Sequence, residues 1–416
     1  MHPGFSFFTA PWWRPTALAS GKDWSACRIA GPPMRVSVAS FTGTHPLDLA
    51  RELDTLGLLG TYHCALPRFR IAGIPAARVR THPLVLLPNI LLSRSGLARF
   101  ERYVDWPMTE AYDRWLCRTL QPCDVLQVLS SYGLRAIRRA RSEFGALTVC
   151  DHGSSHIRTQ AALLREEADR CGIAIRGVDA RFIEKEEAEY DEADAVFVPS
   201  TFARQSFIDR GVNPAKVAMI SYGARLEEYF PVPKRDGVFR ILCVASLSVR
   251  KGIHYLLDAT SRLALPNSEV VLRGGPTAES ARLLAPYQGR FRLHPPVPRR
   301  DLHDLYSQAS VLVLPSVEDG FGLVIAQAMA CGVPVIATTN TGGPDLISDG
   351  RNGFIVPIRS PEAIAERLQY LHDHPDERAA MGRAALEAVR ALGGWSRYAA
   401  GVVREYEERL RPRRAT

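Results

Sequence analysis

Two short loops carry the residues whose types and spacing suit them to holding an anionic ligand. The first loop contains Gly320-Phe321-Gly322, between an apolar strand and an apolar helix, and Asp319 precedes it. Glycines let the backbone approach a ligand closely. The free N–H groups at the helix start, near Leu323, attract negative charge. This loop therefore predicts an anion site beside a carboxylate.

The second loop follows another predicted strand and contains Arg250-Lys251 just before a helix. Only five of the 52 basic residues are lysines, and Lys251 is one of them. A compact ammonium suits a phosphate in a way that a guanidinium does not reproduce. The alternative interpretation is an exposed basic turn that begins a helix.

The helix after the first loop is apolar apart from Gln327. A helix that is apolar on all sides is buried. Buried polar side chains have hydrogen-bond partners, so we expect Gln327 to contact either a protein group or a ligand.

The first half of the chain also has polar residues after its predicted strands. Gly43 follows the first strand, where it allows close backbone approach, and His45 is expected to be exposed at a helix start. His152 and His156 follow a later strand, and either one could line a cleft or cap the next helix. Their spacing also fits a metal pair, but Gly153 and the lack of an evident third ligand argue against it.

The order of the elements indicates how these loops are positioned. Predicted strands alternate with helices in two series, which predicts two parallel sheets with helices on both faces. We expect one domain over 34–230, a second over 238–394 and a final helix over 395–416. Residues 1–33 are expected to be a loosely ordered arm, or to precede a natural start at Met34. Ligands of such sheets bind beyond the carboxyl ends of the strands, so the cleft between the domains is the expected site.

The run from Leu314 to Pro357 resembles the retaining glycosyltransferases of family 4. The shared features are an acid, Gly-Phe-Gly-Leu and then Ala-Met-Ala-x-Gly-x-Pro-Val. The resemblance is most specific between about 240 and 357. It implies the GT-B fold, in which two Rossmann-like domains face each other, and a final helix that crosses back to the first domain. Asp319 and Gln327 stand where that family usually has glutamates.

The resemblance also implies roles for particular residues. Lys251 matches the lysine of a diphosphate clamp, Ser246 stands at its usual arginine, and Arg250 is the expected substitute. Asp319 is expected to hold sugar hydroxyls, and Gln327 the ribose. Other residues are implied as contacts of the donor: Gly43, Gly320, Phe321, Gly322, Leu323, and one of His152 and His156.

Two further positions fit either a donor contact or an ordinary structural role. Val297 is implied as a contact of the nucleotide base, but it also fits a simple strand-to-helix loop. Asp345 is implied near the donor, but it also fits the N-terminal cap of the next helix.

The activity implied by the resemblance is transfer of a sugar, with retention, from a UDP- or GDP-sugar to a saccharide or lipid-linked acceptor in cell-surface polysaccharide synthesis. No cofactor and no metal are expected. Ser246 and Gln327 also fit a catalytically weak GT-B scaffold that binds nucleotide or polysaccharide. A nucleotide-sugar epimerase of the same fold is a further alternative.

Composition and charge set the remaining expectations. The net charge is +8, and residues 68–99 combine arginines with apolar residues and contain no acid. This pattern fits an anionic membrane surface or a solvated arginine-rich face. No recognition motif for nucleic acid accompanies the charge. Eight scattered cysteines without C-x-x-C indicate reduced thiols and a cytoplasmic location, peripheral to the inner membrane face if the basic segment binds lipid.

Overall fold

The computed structural model describes residues 34–414 apart from 44, 96–99, 278, 296 and 299–300. The expected arm over 1–33 lies outside these described residues. The described residues form two sheets of parallel strands with helices on both faces. The predicted pair of Rossmann-like folds is therefore confirmed.

The first sheet has seven strands in the spatial order β3-β2-β1-β4-β5-β6-β7. Its strands are β1 (Val36–Ser40), β2 (Leu59–Cys64), β3 (Val79–Thr81), β4 (Val125–Leu129), β5 (Leu147–Asp151), β6 (Ala195–Val198) and β7 (Val217–Met219). The accompanying helices are α1 (His45–Thr55), α2 (Leu87–Arg94), α3 (Glu101–Thr119), α4 (Leu134–Phe144), α5 (Ile157–Cys171), α6 (Ala180–Glu192) and α7 (Thr201–Ile208). The central strands are buried on both faces, which is why they read as apolar runs.

The second sheet has six strands in the spatial order β10-β9-β8-β11-β12-β13. Its strands are β8 (Phe239–Val244), β9 (Ser268–Arg273), β10 (Arg292–Leu293), β11 (Val311–Leu314), β12 (Val335–Thr338) and β13 (Gly353–Val356). The accompanying helices are α8 (Ile253–Ser261), α9 (Ser280–Leu284), α10 (Leu302–Ser307), α11 (Leu323–Ala330), α12 (Gly343–Leu346), α13 (Pro361–Asp373) and α14 (Pro375–Leu392).

The last helix, α15 (Trp395–Arg414), packs on the first sheet, although it follows the second in sequence. Tyr398, Val402 and Tyr406 are buried in the same apolar cluster as Val36 of β1. The Tyr406 hydroxyl also donates a hydrogen bond to Gln127 Oε1 on β4. The C-terminal helix therefore ties the two halves of the chain together.

The strand order reverses between β1 and β4 in the first sheet and between β8 and β11 in the second. At such a point the two flanking connections leave on opposite faces, which opens a crevice beyond the strand ends. The loops that follow β8 and β11 contain Lys251 and Asp319, respectively. The fold thus brings together two loops that are 68 residues apart.

The state of the cysteines and the apolar character of the helices bear on the expectations from composition. The seven cysteines of the described part are free thiols. None of the helices that the structure describes combines the length and apolar character needed to cross a membrane.

Candidate functional site

A cavity of about 420 Å³ lies beyond the carboxyl ends of β8 and β11, and residues of both halves line it. This volume lies within the range of small-molecule sites. The predicted residues that line it are Gly43, Lys251, Asp319, Phe321, Gly322, Leu323 and Gln327. The other predicted residues lie elsewhere, as described below.

Lys251 and Asp319 meet inside this cavity. Lys251 Nζ lies 2.5 Å from Asp319 Oδ2, and each side chain is about 15% exposed. Gly252, which follows Lys251, has a φ of +61°, and a Cβ there would lie 2.0 Å from the Pro315 carbonyl oxygen. Only glycine tolerates both conditions, so the close approach of the two loops depends on it.

The start of α11 lies next to this pair. Gly322 precedes the helix with a φ of +73°, and a Cβ there would lie 2.6 Å from Leu314 Cδ2. The first N–H groups of a helix have no partner within it, and the helix dipole makes this end positive. An ammonium and a positive helix end therefore face the same cavity, which suits a polyanionic ligand.

Gln327 lies one turn further along α11 and also borders the cavity. Its Oε1 accepts a hydrogen bond of 2.7 Å from the buried Tyr306 hydroxyl. The predicted polar partner is thus a protein group. Because Oε1 is engaged, the Nε2 amide is the group that can donate to a ligand.

Arg250 does not take the predicted place beside Lys251 in the cavity. Its Nε lies 2.6 Å from Glu318 Oε2, and its Nη2 donates to Ser154 Oγ at 3.0 Å. Ser154 belongs to the first half of the chain, so Arg250 points across the seam between the sheets. The expectation that Arg250 replaces the missing clamp arginine is not supported by this placement.

Glu318 was missed in the sequence, yet it is the most enclosed acid near the cavity. Its side chain is fully buried, and it accepts hydrogen bonds from Ser154, Ser155 and Gln160 as well as Arg250. Burial would raise the pKa of Glu318, but the Arg250 charge and the donors from the serines outweigh it and lower the pKa to about 2. Glu318 is therefore ionised at neutral pH, and it joins the two halves of the chain across the seam.

Gly320 and Asp345 also belong to the seam. A Cβ on Gly320 would lie 2.1 Å from the Gly153 carbonyl oxygen, and Ser200 Oγ donates to the Gly320 carbonyl at 2.5 Å. Asp345 accepts from the Thr201 N–H at 2.9 Å. Gly320 is thus small because another backbone lies against it. Asp345 caps α7 across the seam, not its own short helix, and it does not line the cavity.

His152 and His156 are both buried away from the cavity. The ring nitrogens of His152 lie 2.7 Å from Ser130 Oγ and 2.9 Å from the Ser155 carbonyl oxygen. His156 Nδ1 accepts from the Arg158 N–H at the start of α5. Burial first, and then the neighbouring His152, lower the pKa of His156 to about 4, so that it serves as a neutral cap. The expected placement of one of these histidines in the cleft is not observed.

His45 lines the cavity instead, although the sequence suggested an exposed position. It is buried, with Nε2 3.1 Å from Asp151 Oδ1 and 3.0 Å from the Tyr222 hydroxyl. Its position two residues after Gly43, in the loop that follows β1, is the signal that could have found it. His45 and Tyr222 give the first-sheet side of the cavity a polar wall, and Asp151 lies behind it in contact with His45.

Ser246 and Val297 remain outside the cavity. Ser246 is exposed, and its hydroxyl lies 3.2 Å from that of Ser248. Val297 is half-buried beside Arg273 and borders a separate shallow pocket near His294. Neither position supports direct contact with a ligand held between Lys251 and Gln327.

Comparisons with known proteins show what this chain is similar to. Residues 225–388 match the family described as glycosyl transferases group 1. The D-inositol 3-phosphate glycosyltransferase of Kribbella flavida is 31% identical over 208 residues, which cover 44% of this chain and 49% of the relative. The enzyme of the same name from Frankia alni is 38% identical over 226 residues, which cover 48% and 55%. The chain thus spans about half the length of the curated relatives it matches.

Solved structures share the architecture over most of the chain. Sucrose-phosphate synthase from Thermosynechococcus elongatus superposes with a TM-score of 0.70 at 22% identity, covering 91% of this chain and all of that one. Anabaena HepE in complex with UDP and glucose gives 0.65 at 15% identity, covering 90% of this chain and all of that one. At these identities the likeness shows the fold. Residues 225–388 are therefore a glycosyl transferases group 1 domain, carried within a two-sheet GT-B fold.

Proposed function

We propose that this protein is a retaining glycosyltransferase that moves a sugar from a UDP- or GDP-sugar to a saccharide or lipid-linked acceptor. The observation that carries the proposal is the position of the Lys251 ammonium, 2.5 Å from Asp319 and beside the start of α11. Similarity to glycosyltransferases in sequence, and to a UDP-bound neighbour in fold, supports the same substrate class.

The leaving group explains why this arrangement is useful. When the bond between sugar C1 and the phosphate oxygen breaks, the departing diphosphate gains negative charge. Lys251 exchanges its contact with Asp319 for the diphosphate, and the N–H groups near Leu323 donate to the same group. A single preorganised donor of this kind contributes about 2.7–4 kcal/mol to lowering a barrier.

The remaining residues orient the two substrates. Asp319, released from Lys251, accepts hydrogen bonds from sugar hydroxyls, and Gln327 Nε2 donates to the ribose. The acceptor hydroxyl attacks C1 on the leaving-group face, and its proton passes to the departing phosphate oxygen. On the opposite wall, His45 and Tyr222 supply polar contacts for the acceptor.

A basic and apolar surface on the first half supports an acceptor held at the inner face of the membrane. Phe69 is 84% exposed, Leu84 66% and Leu91 64%, while Arg70 and Arg80 are also exposed. Apolar side chains that enter the headgroup region, next to cations that attract anionic lipid, are the features of interfacial binding. An acceptor held at this membrane face supports the proposal of a role in cell-surface polysaccharide synthesis.

Vesicle sedimentation tests this surface. Exposed apolar residues are better test positions than an arginine such as Arg78, whose Nη1 lies 2.6 Å from Asp54 within the protein. We expect Leu84→Ser with Leu91→Ser to abolish binding to anionic vesicles. The control is Leu293→Ser, since Leu293 is 54% exposed on β10, in the other half. If the Leu84/Leu91 double variant binds vesicles as well as Leu293→Ser does, the proposed membrane surface is wrong.

A second candidate function is that of a nucleotide-binding scaffold with little turnover. The observation that favours it is the ion pair between Arg250 and Glu318. Of the two residues predicted to hold the diphosphate, only Lys251 then faces the cavity. Such a protein would bind the nucleotide diphosphate but would release none from a nucleotide sugar.

The test is incubation with a panel of UDP- and GDP-sugars, with and without acceptors. Acceptors include D-inositol 3-phosphate, because the curated relatives are named for it. Acceptor-dependent release of UDP or GDP, with a product of unchanged anomeric configuration by NMR, supports the transferase. Tight binding without release supports the scaffold, and an isomerised sugar supports an epimerase.

A further inference from the structure

A second cluster of chemically reactive side chains lies in the seam, between α5 of the first half and α8 of the second. Glu167 and Cys171 are one turn apart on α5, and His254 lies on the facing helix α8. Glu167 is fully buried, and the other two are half-buried. A carboxylate, a thiol and an imidazole are three of the groups that bind zinc in proteins.

The spacing of these atoms matches the edges of a metal tetrahedron. His254 Nε2 lies 3.0 Å from Glu167 Oε1 and 3.5 Å from Cys171 Sγ, and Sγ lies 3.8 Å from Oε1. Zinc bonds of about 2.0–2.3 Å in tetrahedral geometry place their ligand atoms roughly 3.3–3.6 Å apart. The three atoms therefore need only small shifts to share one cation. Glu167 Oε1 also accepts a hydrogen bond of 2.6 Å from the Tyr255 hydroxyl, which leaves its second lone pair for the metal.

We propose that Glu167, Cys171 and His254 form a binding site for Zn²⁺ or a similar soft divalent cation, which links the two halves of the protein. Water completes the fourth position, and the thiol gives up its proton to solvent as the metal binds. The inference rests on the fold and not on the proposed transfer reaction. It departs from the expectation of no metal, which followed from the family resemblance. Cys171 and His254 are 83 residues apart in sequence, and the fold brings them together.

The surroundings fit this role. Arg359 Nε binds the other carboxylate oxygen, Glu167 Oε2, at 2.7 Å, which fixes the orientation of Oε1 toward the cluster. Arg359 is itself paired with Glu166 at 2.8 Å, so its charge is balanced. A bound dication would be neutralised by the Cys171 thiolate and the Glu167 carboxylate. An outer group that orients a metal ligand in this way is typical of metal sites.

The decisive experiment measures zinc bound per chain. The full chain is stripped with a chelator, incubated with zinc, desalted and subjected to elemental analysis. We expect one tightly held zinc in the wild type, and at least tenfold weaker binding in Cys171→Ser and in His254→Gln. Cys117→Ser is the matched control, because Cys117 is also a half-buried free thiol, on the helix α3 and outside the cluster.

Cobalt supplies a second readout that does not depend on stability. We expect Co²⁺ to give a thiolate charge-transfer band in the near ultraviolet with the wild type and with Cys117→Ser, and none with Cys171→Ser. Zinc should also raise the midpoint of thermal unfolding in the first two proteins only. The proposal is overturned if the wild type holds no zinc, or if Cys171→Ser binds zinc and shows the cobalt band as the wild type does.

Discussion

Two acid–cation pairs lie side by side where the two sheets meet, and they face opposite ways. Arg250 and Glu318 point across the seam and join Ser154 of the first half. Lys251 and Asp319 point into the cavity. Both pairs connect the same two loops, and each member of one pair is adjacent in sequence to a member of the other. In each loop, one residue therefore joins the two halves of the protein, and its neighbour in sequence faces the ligand cavity.

The two pairs differ in how completely the protein satisfies their charges. Glu318 is buried and has donors from several residues. Asp319 keeps about 15% of its side chain exposed, as does Lys251. A buried charge that loses its partner is costly, while a pair at a cavity edge can exchange its partner for a ligand. The comparison predicts stability effects at one pair and activity effects at the other.

Removal of the buried acid should have the largest effect. Glu318→Ala removes the buried acceptor of Ser154, Ser155 and Gln160 as well as the partner of Arg250. We expect a loss of about 3 kcal/mol in the free energy of unfolding, since buried donors are left unsatisfied. Asp319→Ala, the matched control, should lose less, because the Lys251 ammonium that remains borders the open cavity. Urea unfolding followed by circular dichroism measures both. Equal losses of unfolding free energy in the two variants would contradict the proposed difference between a structural pair and a ligand-binding pair.

Removal of the Lys251 ammonium should lower the reaction rate. We expect Lys251→Ala to lower the turnover of the active donor by roughly 100- to 1000-fold, since one preorganised donor to the leaving group is lost. The midpoint of thermal unfolding should hardly change. Lys234→Ala, at a lysine outside the cavity, serves as the control for charge. Full turnover in Lys251→Ala would contradict the assigned role.

Acid should weaken the seam through Glu318. Its pKa is lowered from 4.5 to about 2 in the folded protein, so the unfolded chain binds the extra proton first. The contribution to stability is present above about pH 4.5 and is lost as the pH falls toward about 2; it amounts to roughly 3 kcal/mol. We expect the difference in unfolding free energy between wild type and Glu318→Gln to shrink over this window. A difference that does not depend on pH would refute the linkage.

Gln327 should give the smallest of these effects. Gln327→Leu removes a donor to the ribose, and we expect donor affinity to fall about fivefold, which corresponds to about 1 kcal/mol for one hydrogen bond. Tyr306→Phe, which removes only the bond that orients Gln327, should lose less. Calorimetric titration with the nucleotide diphosphate compares the three proteins. Unchanged affinity in Gln327→Leu would exclude the ribose contact.

The fold could be predicted from the sequence because its strands are buried apolar runs between helices. The short edge strand β3, Val79–Thr81, could not be predicted from the sequence. Only Val79 of its three residues is buried, so the strand contains no apolar run. The glycines of the sequence predicted where the backbone makes tight turns. Gly322 does open a helix at the cavity, but Gly320 serves packing against Gly153, and composition alone does not distinguish these uses.

Side-chain direction is what the sequence could not supply. Residues after a strand lie near the cleft, but a one-residue step reverses where they point, which separates Glu318 from Asp319 and Arg250 from Lys251. The same limit applies to the histidines. His152 turns into the packing between helices, whereas His45 turns toward Asp151 and the cavity. These directions depend on contacts between distant parts of the chain.

The central claim is that Lys251 and the start of α11 bind a diphosphate. Calorimetric titration of wild type and Lys251→Ala with a nucleoside diphosphate and the corresponding monophosphate tests it most directly. We predict that the wild type prefers the diphosphate by at least tenfold and that Lys251→Ala loses most of this preference. An undiminished preference in Lys251→Ala would contradict the account.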